Sequence, residues 1–397
     1  MKLKSIQDVD LKNKKVLLRV DFNLPMQGKV IVDAERMLKA IPTIEYILEQ
    51  HASVLIVSHL GQPENESFDE SLSLKPIASK LSELISREVT LLKDLEEAKS
   101  IQFEVNKVYI LENVRFLHGE KSDSEVLGKE LSELSDIYAL DCFACAHRKH
   151  ASIHAAAKFA KVAVAGLLIE QEVKNLDKVL EDASSPIVGV VAGSKVSTKL
   201  ELLENLIEKL DILILGGGIA NTFLAAKDVP IGKSLYEGSL VNTAKRLINL
   251  AESKNTKIIL PKDVVVANKI DFNVETRVVN FNNEEVVEDE EMILDFSEET
   301  LLEIKDVIAT AKTILWNGPL GVFEYEKFSN GTRVLAESIA ESLAFSVAGG
   351  GDTISAINKF KVQDKISYIC TGGGAFLSYV KGNKLPGIEV IREKDNM

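Results

Sequence analysis

In the second half of the chain one local arrangement recurs, and it restricts the fold more than any other feature. A short apolar run enters glycines, and a helical pattern follows. It occurs at Val188 to Gly193, Ile212 to Gly218, Ile314 to Gly318, Phe345 to Gly351 and Tyr368 to Gly374. Continuously apolar runs suit strands covered on both faces, and parallel neighbours need a crossover helix between them. Five such units predict a parallel, doubly wound α/β sheet whose ligands sit at the carboxyl ends of the strands. The recurrence is one of architecture; no sequence repeat or low-complexity linker accompanies it.

The first half alternates in the same way. Val16-Leu17-Leu18 reads as a strand, and an amphipathic helix follows over about 33–50 with Asp33 as its N-cap. Ser53 to Ser58 reads as a buried strand that ends in the turn His59-Leu60-Gly61-Gln62-Pro63. Val108 to Leu111 and Ile137 to Leu140 are further strands, separated by a helix over about 124–134. A long helical pattern over 166–182 then leads to the breaker Ser184-Ser185-Pro186. At 397 residues the chain is too long for one ordinary core. The expectation is two lobes, each a parallel doubly wound sheet flanked by helices, spanning residues 1–169 and 170–385 and joined by that helix. The acidic stretch 282–299 reads as a solvated surface excursion.

Composition narrows the function. A net charge of -13 argues against binding to nucleic-acid backbones, although a few basic residues can still converge in a cleft. No run approaches the roughly 18 apolar residues of a membrane span, and the polar start lacks a secretory signal, so a cytoplasmic, membrane-free protein is expected. Three cysteines, Cys142, Cys145 and Cys370, are too few for a disulfide framework and read as reduced thiols.

Glycine turns at strand ends bring unobstructed backbone N–H groups to a helix N-terminus, where phosphate is stabilised. One such turn is only a tight turn; five in one sheet point to a nucleotide. Neither common fingerprint is present. Gly232-Lys233-Ser234 resembles the end of a P-loop, but Lys227 stands where the first glycine belongs. Gly216-Gly217-Gly218 fails the dinucleotide pattern because Asn221 replaces its third glycine. Asp352-Thr353 after Gly349-Gly350-Gly351 is either a helix cap or a carboxylate for Mg²⁺ beside phosphates. Asp21 and Asn23 are either turn formers or ligand contacts at a strand end. His147-Arg148-Lys149-His150 is either a solvated loop or an anion contact. Cys142-x-x-Cys145 with His147, His150 and His154 matches no common zinc spacing and reads as core thiols.

Together the segments resemble phosphoglycerate kinase over essentially the whole chain. The likeness rests on Arg19-Val20-Asp21-Phe22-Asn23-Leu24-Pro25, Ser58-His59-Leu60-Gly61, Leu111-Glu112-Asn113-Val114-Arg115-Phe116 and Ala146-His147-Arg148. It continues through Gly193-Ser194-Lys195-Val196-Ser197-Thr198-Lys199, Gly216 to Ala220, Trp316-Asn317-Gly318-Pro319, Val322-Phe323-Glu324 and Gly349 to Thr353. The resemblance implies the glycolytic, Mg²⁺-dependent transfer of the acyl phosphate of 1,3-bisphosphoglycerate to ADP, giving 3-phosphoglycerate and ATP. It implies that Arg19, Asp21, Asn23, Arg36, His59, Arg115 and Arg148, with the flanking Phe22, Leu60, Gly61 and Gln62, hold the glycerate substrate on the first lobe. On the second lobe it assigns Lys195 and Lys199 to the nucleotide phosphates, Glu324 to the ribose, Asp352 to Mg²⁺, and Gly350, Gly351 and Thr353 to the phosphate lining. Arg36 and Lys195 are the expected catalytic pair, neutralising charge on the moving phosphoryl group. A monomer, lobe closure about the connecting helix, and a C-terminal tail from about 386–397 packed on the first lobe are also implied.

Three departures from the family pattern stand out: Gln62 in place of the usual Arg, Leu24 before Pro25, and Ala144-Cys145 in place of Gly-Thr. Two rival classes are a dinucleotide-binding oxidoreductase and a noncatalytic metal-binding scaffold. The first lacks the acidic residue that should follow a proper glycine fingerprint by about 20 positions. The second rests on the Cys and His cluster alone.

Overall fold

In the computed structural model, which describes residues 3–395, the chain divides into two units. One runs to Lys174 and resumes at Lys384; the other is Asn175–Asn383. The division falls inside the helix Leu167–Leu180. Residues 1, 2, 396 and 397 of the expected lobe spans lie outside the described residues.

The first unit is built on a six-stranded parallel sheet in the order Val89–Leu92, Val108–Leu111, Ser53–Val57, Lys15–Val20, Ile137–Asp141, Ala163–Ala165. Val16 pairs with Val54 on one side and Ile137 on the other. Val16, Leu18, Val20, Val54 and Ile56 pack with Ile44, Ile47, Ile77 and Leu81 of the covering helices. At about 1.5–3 kcal/mol for each such buried side chain, this core leaves the strand ends free to carry polar groups. Strand order reverses between Lys15–Val20 and Ile137–Asp141, which is where an open α/β sheet forms its crevice. The edge strands Val89–Leu92 and Ala163–Ala165 escape the sequence reading, the first because it is half exposed and the second because it is three residues long.

The second unit carries another six-stranded parallel sheet, ordered Lys257–Ile259, Ile212–Gly216, Ile187–Ala192, Thr313–Asn317, Phe345–Gly349, Tyr368–Cys370. Its order reverses between Ile187–Ala192 and Thr313–Asn317. All five glycine-terminated runs are strands. The unforeseen one, Lys257–Ile259, ends in Leu260-Pro261 rather than glycine.

Two local expectations are corrected. The first helix is Glu35–Glu49, and its N-cap position is Ala34, with no side-chain cap. Asp33 lies one residue too early and accepts a bond from the Glu35 N–H at 2.8 Å instead, closing an Asx turn. The acidic stretch 282–299 is not solvated throughout. Met292–Phe296 is a largely buried strand, antiparallel to Asp263–Ala267, which also pairs with Arg277–Asn280. The hydrophobic Met-Ile-Leu core of that strand outweighs the charges that precede it.

No helix among the described residues is long and apolar enough to cross a membrane. The helix Pro386–Lys394 belongs to the first unit: the Gly387 N–H donates to the Ala146 carbonyl at 3.0 Å, and a Cβ at Gly387 would meet Ile153 at 2.8 Å.

Candidate active site

At the first crevice, strand ends place a set of polar residues that the hydrophobic pattern alone would not predict to be buried. Arg19, the last residue but one of its strand, is 1% exposed. Its Nε donates to Ser152 Oγ at 2.8 Å, one Nη donates to the Val20 carbonyl, and the other lies 3.3 Å from His59 Nδ1. Ser152 in turn donates to buried Glu120 through both its N–H and its hydroxyl, at 2.8 and 2.6 Å. A buried guanidinium needs this support, because an unpaired charge there would cost several kcal/mol.

The turn after that strand is held by its own side chains and by its neighbours. Asp21 Oδ2 accepts from Arg36 at 2.9 Å, and Arg36 also donates to the Asn23 carbonyl at 3.0 Å. Asn23 Oδ1 accepts from the Gly61 N–H at 2.9 Å, and Ser58 Oγ accepts from the Phe22 N–H at 2.8 Å. Asn113 clamps the His59-Leu60-Gly61 turn: its Oδ1 accepts from the Leu60 N–H at 3.2 Å and its Nδ2 donates to the Leu60 carbonyl at 2.7 Å. Arg115 donates to the Gly61 carbonyl. The side chains of Phe22 and Leu60 turn into the hydrophobic core, so only their backbone faces this crevice. Arg148 is half-buried, and Gln62 is exposed with no hydrogen bond among the described residues.

Positive charge is concentrated at this crevice. Burial, then the charges of Arg19, Arg115 and Arg148, hold His59 far below the usual imidazole range. The same pressures push His150 down to about 4: burial first, then Arg115, Arg148 and Arg19. His59 is therefore neutral. An arginine can only donate, so Nδ1 accepts from Arg19 and the ring proton sits on Nε2. Its 3.9 Å approach to Asp21 is then a polar contact rather than an ion pair. Arg115 is itself lowered, by burial and then by Arg148, a pressure that Glu120 offsets only in part.

Ligand atoms of Asp21, His59 and Cys145 lie within 4.8 Å of one another, a spacing a metal ion could bridge. The guanidinium groups of Arg19 and Arg36 already engage two of the three, which disfavours a cation there. Two of the three histidines singled out with Cys142 and Cys145 are engaged by carboxylates instead. His154 pairs with Asp123 at 2.8 Å, and His150 lies 3.9 Å from Glu120.

The second crevice uses a different material. Lys199 Nζ donates to the Ala192 carbonyl at 2.5 Å and to Asn317 Oδ1 at 2.6 Å. Asn317 Nδ2 donates to the Gly349 carbonyl at 2.7 Å, and Thr353 Oγ1 joins the Gly318 N–H at 2.8 Å to the Gly349 carbonyl at 2.9 Å. Three strand ends are thus laced together beneath the lysine. Burial lowers Lys199 to about 8, against the opposing pull of Asp352.

Close packing of these ends explains two glycines. Gly318 has φ +112°, and a Cβ there would stand 2.1 Å from the Ala192 carbonyl oxygen; Gly350 has φ +102°, with Asn317 Nδ2 at 2.7 Å. Gly351 opens the helix Gly351–Phe360, and a Cβ on it would meet nothing within 4 Å. Asp352 is exposed in that helix's first turn and, with Glu324, lines a cavity of about 300 Å³ bordered by Gly193, Gly217, Gly218 and Pro319. Lys195 is exposed on the loop after Ile187–Ala192.

The strand hidden in the acidic stretch supplies a wall of the cavity, including Asp295. Asp295 Oδ2 accepts from the Gly331 N–H at 2.8 Å, and burial pushes the carboxyl up to about 7. Gly232-Lys233-Ser234 does not act as a phosphate loop. Ser234 Oγ accepts from the Ile293 N–H at 2.8 Å, and Lys233 pairs with Glu290 at 3.1 Å.

Sequence reasoning passed over Glu120, Ser152 and Asn317 as site residues. Asn317 lies inside the segment Trp316-Asn317-Gly318-Pro319, so a signal is present; Glu120 and Ser152 carry none, since Ser152 meets Arg19 across 133 residues and Glu120 acts through Ser152.

A family model described as "Phosphoglycerate kinase" matches residues 6–383. The chain is 46% identical over 394 residues to the phosphoglycerate kinase of Francisella philomiragia, covering 99% of each. The structure of phosphoglycerate kinase from Coxiella burnetii superposes with TM-score 0.96 at 44% identity, over 99% of this chain and 100% of that one. That of Pyrococcus horikoshii gives TM-score 0.79 at 32% identity, with the same coverage.

Proposed function

The chain belongs to the phosphoglycerate kinase family, and on that premise we propose that it transfers the acyl phosphate of 1,3-bisphosphoglycerate to ADP, reversibly, in glycolysis. The observation that carries this reading is the gathering of Arg19, Arg36, Arg115 and neutral His59 around one crevice, where Asp21 and buried Glu120 balance them only in part. Planar guanidinium forks bind carboxylate and phosphate bidentately and stay charged at any working pH. Arg19, Asp21, Asn23, Arg36, His59, Arg115 and Arg148 then hold the glycerate, with the backbone of Phe22, Leu60 and Gly61.

In the other unit, Gly350, Gly351 and Thr353 offer a helix N-terminus to phosphate, Lys199 and Lys195 add charge, and Glu324 receives the ribose. Asp352 suits Mg²⁺: it is an exposed, hard oxygen donor beside the phosphate-binding turn. Bound there with the nucleotide, Mg²⁺ would neutralise phosphate charge. Phosphoryl transfer asks the protein mainly for alignment and charge neutralisation, which we assign to Arg36 and Lys195. The two ligands bind to separate units, so transfer includes a closing step that excludes water from the acyl phosphate.

The test is a coupled assay with 3-phosphoglycerate and ATP, with and without Mg²⁺. Turnover that requires all three is the expected result; folded protein without it would overturn the reading.

A further inference from the structure

Two thiols lie at the edge of the proposed glycerate site, in a part of the chain that departs from its family pattern. Cys142 follows the strand Ile137–Asp141, and Cys145 closes the single 3₁₀ turn Phe143–Cys145, with its N–H bonded to the Cys142 carbonyl at 3.1 Å. A turn closed this way keeps its end Cα atoms within about 7 Å. This overlaps the roughly 4.4–6.8 Å Cα separation that disulfides use. Burial pushes the Cys142 thiol well above its ordinary value, and Cys145 is the neighbour that acts on it most. Cys145 Sγ also lies within 4.8 Å of ligand atoms on Asp21 and His59, so one member of the pair abuts the groups proposed to hold substrate.

We propose that Cys142 and Cys145 are an oxidisable dithiol that closes to an intramolecular disulfide when the glycerate site is empty, and that the disulfide weakens binding at that site. The oxidant is a small anionic disulfide. One cysteine thiolate attacks it and expels a thiol, and the second cysteine then displaces the other half. Overall, two protein thiols lose two hydrogens, one S–S bond forms, and the small disulfide is reduced to two thiols. The guanidinium groups of the crevice attract an anionic oxidant just as they attract substrate. Cys145 is only 2% exposed, so the reaction is slow and substrate seated over it slows it further. Drawing Cys145 towards Cys142 changes its packing against Asp21 and His59, which links the oxidation to binding.

The inference rests on the glycerate assignment, and the experiment separates the two. The full chain is incubated with oxidised glutathione, with and without 3-phosphoglycerate, and followed by thiol titration, intact mass and 3-phosphoglycerate affinity. The expected result is loss of two of the three thiols with a mass lower by two hydrogens, at least tenfold weaker 3-phosphoglycerate binding, and recovery with dithiothreitol. Cys142→Ala and Cys145→Ser should each abolish the two-hydrogen loss, while Cys370→Ala leaves it unchanged. A stable glutathione adduct on either cysteine, three unreacted thiols, or a disulfide that leaves affinity unaltered overturns the proposal. If the disulfide forms and weakens binding but 3-phosphoglycerate fails to slow its formation, the dithiol stands and the direct-contact version of the glycerate assignment falls.

Discussion

The two crevices lie at equivalent points of similar sheets, yet each is lined with different groups. The first relies on long cationic side chains carried to strand ends and braced from below, Arg19 by Ser152 and Glu120, the Gly61 turn by Asn113. The second relies on the absence of side chains: backbone N–H groups at glycines, strand ends laced by Asn317 and Thr353, and one sequestered lysine. A charge cluster is costly to assemble but retains its sign and reach. A glycine cradle is less costly electrostatically, but it tolerates no added atoms. Deleting atoms should therefore damage the first crevice, and adding them should damage the second.

The largest expected effect comes from deletion. Arg36→Ala should lower kcat by about a hundred- to a thousandfold, the scale seen when a charge-stabilising donor is removed, with a smaller loss of 3-phosphoglycerate affinity. Steady-state kinetics alongside equilibrium binding checks this; equal losses in both would make Arg36 a ground-state binder. Next comes addition. Gly318→Ala puts a methyl group 2.1 Å from the Ala192 carbonyl at a φ that L-residues avoid, and should cost about 1–3 kcal/mol of stability along with nucleotide binding. Denaturant unfolding measures it, and an unperturbed midpoint would break the contrast.

A smaller effect sharpens the comparison through pH, because the second crevice has a titrating cation while the arginines of the first do not titrate. With Lys199 at about 8 when folded and near its ordinary 10.5 when unfolded, the unfolded chain holds the extra proton between those values. Its contribution to stability should therefore rise with pH across that window, while ADP affinity falls as the charge is shed above about pH 8. Lys199→Met should remove both slopes, read by urea titrations and calorimetry from pH 7 to 10. The smallest effect is at Gln62. Gln62→Arg adds a charged donor beside the first crevice and should tighten 3-phosphoglycerate by about 1 kcal/mol, most at low salt. An unchanged KM at low salt would mean that the exposed side chain does not reach the ligand.

How much of this was legible follows the same divide. Buried parallel strands are continuous apolar runs, so all five glycine-terminated strands of the second sheet are visible in the chain, and motifs such as Gly349 to Thr353 carry their chemistry in consecutive residues. The edge strands Val89–Leu92 and Lys257–Ile259 are not, because they are half-exposed and no glycine follows them, whereas the edge strand Tyr368–Cys370 is betrayed by the glycines after it. Met292–Phe296 was concealed by the acidic residues before it, though its own five residues are mostly apolar. The bracing of Arg19 was illegible for another reason: Glu120 and Ser152 become partners only once the chain has folded, and nothing local distinguishes them from surface residues.

The helix Pro386–Lys394 gives the molecule an order of assembly. A ribosome extrudes residues 175–383 as one uninterrupted stretch, so the second unit has all its parts before synthesis ends. The first unit, begun earlier, is finished later. Until Gly387 reaches the Ala146 carbonyl, the surface formed by Ala146, Ile153 and Leu140 lacks its cover, and Ala146 is the residue between Cys145 and the His147-Arg148 pair. The apolar surface beside the crevice is thus covered only when the helix Pro386–Lys394 docks, and a nascent chain released short of Pro386 is expected to leave it exposed and sticky.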